Sequence, residues 1–263
     1  MAARAVRRSN PLTVVTWSQV IGLLPYFPAL LVVGDYRLPS PSTLGVVFAA
    51  SLVVTAAYLA LYKGLRVGKV SLVTPISACW ALVTVMITSV LLGEPLTQVQ
   101  TLAVGLAVVG GASASFRWGD FAPDIRRAAS GVQYALAAML AFGAYYVFLD
   151  VLVSELGWFL PILFVRVVMV AILVASSFAA RGGVARPTGV GRLVLLAGLL
   201  DFAAFLFYSV GIYVEYSAIV APISAASPVV TIVLARLLLG ERLEANQKIG
   251  IAAVMAAVML MSL

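Results

Sequence analysis

The 263-residue chain has no histidine and a single cysteine, Cys79, and only 10% of its residues are charged. The absence of histidine removes the commonest general base and metal ligand. One cysteine cannot build a thiolate zinc site, an iron–sulfur site or a disulfide framework. No Walker-type phosphate loop is present, so ATP-driven work would need another subunit. The shortage of charge excludes still more. A soluble domain is about half apolar and about a quarter charged. This chain is 63% hydrophobic, with a mean hydropathy of +1.11. Such a surface could not be solvated by water, and the composition is the opposite of a disordered chain. The sequence is that of an integral membrane protein with helical spans.

The 17 basic residues outnumber the 10 acidic ones, for a net charge of +7. They lie in short clusters between apolar runs and form no continuous basic face, which excludes a nucleic-acid partner. The clusters instead read as loops of a membrane protein.

A helix needs about 20 apolar residues to cross a bilayer. That measure predicts nine spans, at 12–33, 41–62, 70–92, 98–116, 130–152, 157–180, 192–213, 217–239 and 245–263. Turn chemistry marks the breaks, as at Leu38-Pro39-Ser40-Pro41, Gly93-Glu94-Pro95, Gly182-Gly183 and Gly240-Glu241. The spans lack the alternating polar positions of a barrel strand. Arg4, Arg7 and Arg8 precede the first run as in a signal peptide, but the run is too long and no small-x-small cleavage site follows it. It reads as a retained span.

Loop charge alternates along the chain. Three basic residues precede the first span, then one (Arg37), three (Lys63, Arg66, Lys69), none, and three (Arg117, Arg126, Arg127). The series continues with none, three (Arg181, Arg186, Arg192), none, and two (Arg242, Lys248). Nine spans with a cytoplasmic amino terminus produce this pattern, in a multi-pass protein of the cytoplasmic (inner) cell membrane.

The most specific signal is self-similarity at an offset of 147. Pro75-Ile76-Ser77-Ala78 recurs as Pro222-Ile223-Ser224-Ala225, and Leu91-Leu92-Gly93-Glu94 recurs as Leu238-Leu239-Gly240-Glu241. Gly64, Thr84, Leu96 and Gln100 match Gly211, Thr231, Leu243 and Gln247. The copies are five spans apart, an odd number, so they cross the membrane in opposite directions. That predicts two inverted-topology repeats with a site near the midplane between them. The repeats are 1–118, with four helices, and 130–263, with five, joined by a linker at 119–129.

A span that opens on a small-residue and proline motif and closes on Leu-Gly-Glu, with Gln six residues after the Glu, resembles the EamA-type repeat of the drug/metabolite transporter superfamily. The resemblance covers nearly the whole chain. It implies ten helices in two five-helix repeats and carriage of small metabolites, often outward. The counterpart of the span at 130–152 would fall before residue 6. The first repeat is therefore expected to lack one helix, either as a natural nine-helix variant or because the missing helix is encoded in frame upstream of Met1, which is the expectation tested by the upstream sequence.

Two ionisable groups lie deep inside spans: Arg166, nine residues into 157–180, and Asp201, nine into 192–213. Counted from opposite surfaces, their depths in a ~30 Å core differ by roughly 4 Å, which an arginine stem can bridge. Each alone costs roughly 2.5–3.5 kcal/mol on insertion scales, so they are expected to face the interior or each other. Arg166 also matches an arginine of the corresponding helix in the family that the repeat resembles. Its repeat partner is Gln19, and that of Asp201 is Val54. Phe205 and Tyr208 share a helical stripe with Asp201, while Trp80 and Tyr145 are aromatic groups within their own spans. The substrate-binding set is thus Arg166, Asp201, Tyr208, Trp80, Gln19 and Tyr145. The competing reading is an ion pair that locks two helices beside ordinary aromatic packing. Glu94, Glu241, Gln100 and Gln247 read as helix-end structure. Pro75, Pro222 and Pro228 read as kinks or hinges, and Gly105, Gly110, Gly111, Gly250, Ala253 and Ala257 as close-packing faces.

Enzyme readings fail on composition. A rhomboid-like protease needs a histidine, and an intramembrane aspartyl protease needs a second deep aspartate facing Asp201. No catalytic residue, metal or cofactor is expected. The favoured function is a secondary transporter and exporter of small organic metabolites, amino-acid-like if Arg166 and Asp201 hold a zwitterion, with proton coupling through Asp201. The other reading is a transport-inactive scaffold or subunit derived from a shortened transporter. A second copy or a helper subunit is compatible with either.

Overall fold

The computed structural model describes residue 5 and residues 9–33, 38–68, 70–93, 96–115, 125–225 and 244–261. Every regular element among them is a helix. In chain order these are α1 (Pro11–Leu23), α2 (Tyr26–Val33), α3 (Pro41–Val67), α4 (Val70–Ala78) and α5 (Trp80–Ile87). They continue with α6 (Gln98–Ser115), α7 (Ile125–Leu156), α8 (Leu160–Arg181), α9 (Gly191–Val214), α10 (Ser217–Ala225) and α11 (Ala245–Met261). Five stretches are long and apolar enough to cross a membrane: Pro11–Val33, Pro41–Val67, Gly131–Leu156, Leu160–Ala180 and Gly191–Val214. Shorter apolar helices cover Ile76–Val90, Gln98–Gly110 and Lys248–Ala257. The protein is an all-helical, polytopic membrane protein.

Local chemistry sets the ends. Asn10 accepts the Leu12 N–H at 2.9 Å with Pro11 in the first turn of α1, and Ser40 accepts the Thr43 N–H at 3.2 Å ahead of α3. Gly182 closes α8 in the left-handed region at φ 71°, donating to the Phe178 carbonyl. Thr97 and Gln100 form a reciprocal capping box at the head of α6, at 3.0 and 3.2 Å, which is the structural reading of Gln100.

Two expected spans keep their bounds but are interrupted within, and a third runs longer than expected. The span at 12–33 is broken at Leu24 and Pro25, because Pro25 has no N–H for the ladder and its ring cannot follow a regular turn. The span at 70–92 is interrupted at Cys79 and ends in a π-helical turn over Thr88–Leu92, before Gly93 turns left-handed at φ 68°. α3 runs to Val67 rather than 62, since Lys63 and Arg66 sit at its exposed end and need not terminate it. Of the span at 217–239 only Ser217–Ala225 is described; Pro228, Glu94 and Glu241 lie outside the described residues.

The packing repeats with the sequence. α3 crosses α8 where Ser51 Oγ donates to the Val165 carbonyl at 3.2 Å. α9 crosses α1 where a Cβ on Gly198 would stand 2.5 Å from the Ser18 carbonyl. Ser51 and Gly198, like Ser18 and Val165, are 147 positions apart. The same crossing is therefore made twice. α6 lies along α11 at small residues: a Cβ on Gly110 would meet the Ala253 Cβ and the Gly250 carbonyl at 2.9 Å. Gly105 takes no part, with nothing within 4 Å of its Cβ position. α7 packs along α3 and also touches α4, α5 and α9, closing the bundle around buried Tyr145, Leu149, Leu152, Phe159 and Ile162. The outward faces carry exposed Leu31, Val32, Leu102, Leu200 and Phe207, apolar surface that only hydrocarbon stabilises.

Candidate functional site

The bundle puts the two deep charges in contact. Arg166 Nη2 on α8 donates to Asp201 Oδ2 on α9 at 2.8 Å. The arginine is 2% exposed, while the aspartate side chain keeps 20% of its surface. Tyr58 on α3 donates its hydroxyl to the other carboxylate oxygen, Oδ1. Both oxygens of Asp201 are thereby engaged, one by a cation and one by a neutral donor. Sequence reasoning brought Arg166 and Asp201 together but passed over Tyr58.

The guanidinium is less well provided. Its plane is flanked by the Tyr26 and Phe205 rings, with centroids 5.5 and 5.3 Å from Cζ, which offsets part of its desolvation. Among the described residues its Nε and Nη1 atoms have no hydrogen-bond partner, nor have the Tyr26 hydroxyl and the Gln19 carbonyl oxygen. A buried polar group left unmade typically costs about 1–3 kcal/mol. Gln19, Gly22 and Tyr26 occupy one face of the α1–α2 segment, and Gly22 abuts Arg166 so closely that a Cβ there would overlap Nη1. Tyr26, one turn beyond Gly22, lies beside the arginine on the same face.

Aromatic side chains form the rest of the wall. Trp80 stacks on Tyr146 at 4.0 Å, and Tyr146 meets Tyr208 at 4.4 Å. Tyr146 is also stacked with Phe205 at 6.0 Å, and Tyr145 meets Phe205 edge-on at 5.9 Å. Trp80, Tyr145 and Tyr208 are thus gathered around Tyr146 and Phe205, next to the ion pair. Gln19 is buried, and among the described residues no hydrogen bond joins it to either member of the pair. Tyr146, like Tyr58 and Tyr26, was not anticipated.

Between these groups lies a cavity of about 10 Å³, lined by Tyr58, Tyr145, Arg166 and Phe205 among others. That is near the lower limit of roughly 10–15 Å³ for one water. A larger pocket of about 590 Å³ opens where α7 and α9 end, beside Asp150, Ser154, Glu215 and Tyr216, and shares no lining residue with the inner cavity. The guanidinium is enclosed, while the carboxylate keeps part of its surface exposed. Among the described residues no cluster of His, Cys, Asp or Glu could hold a metal ion.

Comparison with known proteins gives this arrangement a context. No curated protein matches the chain. A solved structure titled "Crystal structure of protein" superposes with a TM-score of 0.76 over 99% of this chain and 91% of its own, at 17% identity, and so shares the fold. The EamA-like transporter family matches residues 1–115 and 129–263, nearly the whole length. The chain belongs to the EamA-like transporter family, within the drug/metabolite transporter superfamily, and is a membrane protein of a family that transports small solutes.

Proposed function

We propose that the chain is a secondary transporter that moves a small organic metabolite, amino-acid-like and outward, by alternating access between the repeats 1–118 and 130–263. Arg166 binds the anionic group of the solute, and Asp201 accepts the coupled proton or the solute's cationic group. Trp80, Tyr145, Tyr208 and Gln19 complete the wall. One observation carries this reading: a fully buried guanidinium that, among the described residues, makes a single ion-pair contact and leaves Nε and Nη1 unmade, beside an unpartnered Tyr26 hydroxyl. An ion pair built only to lock two helices gains most when every donor is satisfied. Nε and Nη1 lie on different edges of the guanidinium, on either side of the Asp201-bound Nη2, so a solute carboxylate would accept from one of them beside the ion pair. The duplicated helix crossing supports two near-equivalent states that open to opposite sides.

Flux of radiolabelled amino acids and related organic acids into proteoliposomes of the purified chain tests the reading. Saturable, Arg166-dependent flux is the expected result, and no flux across such a panel would favour the transport-inactive scaffold. Arg166→Gln should weaken binding of anionic or zwitterionic solutes by about 10- to 100-fold, the equivalent of roughly 1.5–3 kcal/mol for a hydrogen bond to a charged group. Neutral solutes should be affected far less. Equal loss for all solutes would assign Arg166 to structure.

The amino terminus is cytoplasmic in this reading, with Arg66 inside and Glu155 outside. Single cysteines at these positions in a Cys79→Ala background would report it. An impermeant maleimide added to whole cells should label position 155 and not 66, and the reverse pattern would invert the topology.

A further inference from the structure

We propose that the groove between the start of α1 and the end of α3 binds the phosphate headgroup of an anionic phospholipid. The groove has a volume of about 370 Å³, within the usual range of roughly 300–1,000 Å³ for small-molecule pockets. Leu12, Leu59 and Val67 supply its apolar floor, and Asn10, Lys63 and Arg66 its polar rim. Lys63 and Arg66 are one helical turn apart, so both reach the same mouth. Lys63 Nζ is held 4.8 Å above the Tyr134 ring, a contact that orients the ammonium without neutralising it. Among the described residues neither cation has a carboxylate partner.

The lining residues, within 10–12 and 59–67, include Lys63 and Arg66 and no acidic residue; in sequence, Arg4, Arg7 and Arg8 precede the first stretch and Lys69 follows the second. The amino end of α1 also faces this mouth, and its dipole favours an anion. A single phosphodiester is a small anion for so much positive charge, and it would bridge the two side chains.

The apolar floor selects the source of the phosphate. A soluble phosphate would gain nothing from Leu12, Leu59 and Val67, whereas the first methylenes of an acyl chain would bury against them. The groove lies at the common end of two spans, Pro11–Val33 and Pro41–Val67, at the depth where lipid headgroups sit. The lipid site is independent of the transport reading, since none of these residues lines the cavity at Arg166.

The test compares the purified full chain in nanodiscs of phosphatidylcholine alone and of phosphatidylcholine with about a third phosphatidylglycerol, an anionic surface. Native mass spectrometry reads lipid retained, and a thermal melt reads stabilisation. The parent protein is expected to retain phosphatidylglycerol and to melt higher in its presence. Lys63→Gln/Arg66→Gln should lose at least about tenfold in phosphatidylglycerol retention and lose the stabilisation. Both side chains are exposed, so folding should survive; the two single variants, each with an intermediate loss, provide a second measure. Arg192→Gln/Lys248→Gln removes as many charges from exposed helix ends elsewhere and should behave as the parent does.

Equal loss in this control would reduce the effect to general surface charge and overturn the site. Retention unchanged in Lys63→Gln/Arg66→Gln would overturn it as well. Glycerol 3-phosphate added to phosphatidylcholine discs separates the sources: an equal stabilisation by the soluble compound would assign the groove to free phosphates and not to lipid.

Discussion

Asp201→Asn is expected to insert and fold, and either to transport nothing or to transport without dependence on pH. Asparagine preserves the shape of the site and an oxygen that can accept from Arg166 Nη2, but it cannot take up a proton. The substitution leaves Arg166 as an uncompensated charge, and breaking a buried pair in this way typically costs about 3–5 kcal/mol. Thermal melts must therefore accompany flux. The informative set is Asp201→Asn, Arg166→Gln and the double variant. If both single variants lose the fold and the double variant regains it, the pair is structural and the transport role is lost. If Asp201→Asn transports normally with an unchanged pH profile, the proton-acceptor role is wrong. The transport reading requires that the double variant fold at least as well as either single variant and still carry no anionic solute.

The ion pair was legible because charge in hydrocarbon is costly enough to be informative. Two isolated charges at similar depth in neighbouring spans have few ways to be satisfied, so their sequence positions left two, the interior or each other, and the structure pairs them. Tyr58 was illegible for a specific reason. Ending its span at residue 62, before Lys63, put Tyr58 near the membrane surface. The helix runs on to Val67, which places Tyr58 nine residues from its end, while Asp201 is ten residues from the start of α9. At 1.5 Å per residue the two are roughly 14–15 Å deep, one beside the other.

Tyr26 and Tyr146 escaped notice on different grounds. A tyrosine in an apolar run counts as core, and its place one turn beyond Gly22, beside the guanidinium, shows only once the helices are packed. Tyr146 adjoins Tyr145, and a helix places adjacent residues about 100° apart, so periodicity alone does not say which faces inward. In the structure both line the site.

The repeat was legible in sequence as shared Pro, Gly, Glu and Gln, yet the crossing it encodes rests on different residues. At one crossing Ser51 bonds to the Val165 carbonyl, and at the other Gly198 leaves room for the Ser18 carbonyl. A serine and a glycine do not look alike in an alignment. Both let two backbones approach, and that physical equivalence is invisible until the helices are in place.

The Gly198 crossing also bounds the site, and it leads to a graded prediction for three glycines. Gly198→Ala would put a methyl group 2.5 Å from the Ser18 carbonyl and 3.0 Å from Ile21 Cβ, neither of which is a flexible end. α1 and α9 would have to separate, and overpacking of this kind typically costs about 1–3 kcal/mol. Gly22→Ala would overlap Arg166 Nη1 and stand 2.9 Å from the Gly198 carbonyl. Here one neighbour can yield, so part of the strain would be relieved by pushing the guanidinium out of its place against Asp201. Gly105→Ala meets nothing within 4 Å and replaces a poor helix former with a good one, a change of at most about 1 kcal/mol in favour of the fold. In melts and flux assays of the purified proteins, Gly198→Ala should lower the melting temperature most. Gly22→Ala should lose anionic-solute transport out of proportion to its loss of stability, as Arg166→Gln does. Gly105→Ala should match the parent in both. A Gly22→Ala protein that melts and transports as the parent does would mean that Arg166 does not need the space beside α1, and the solute site would have to be sought away from this crossing.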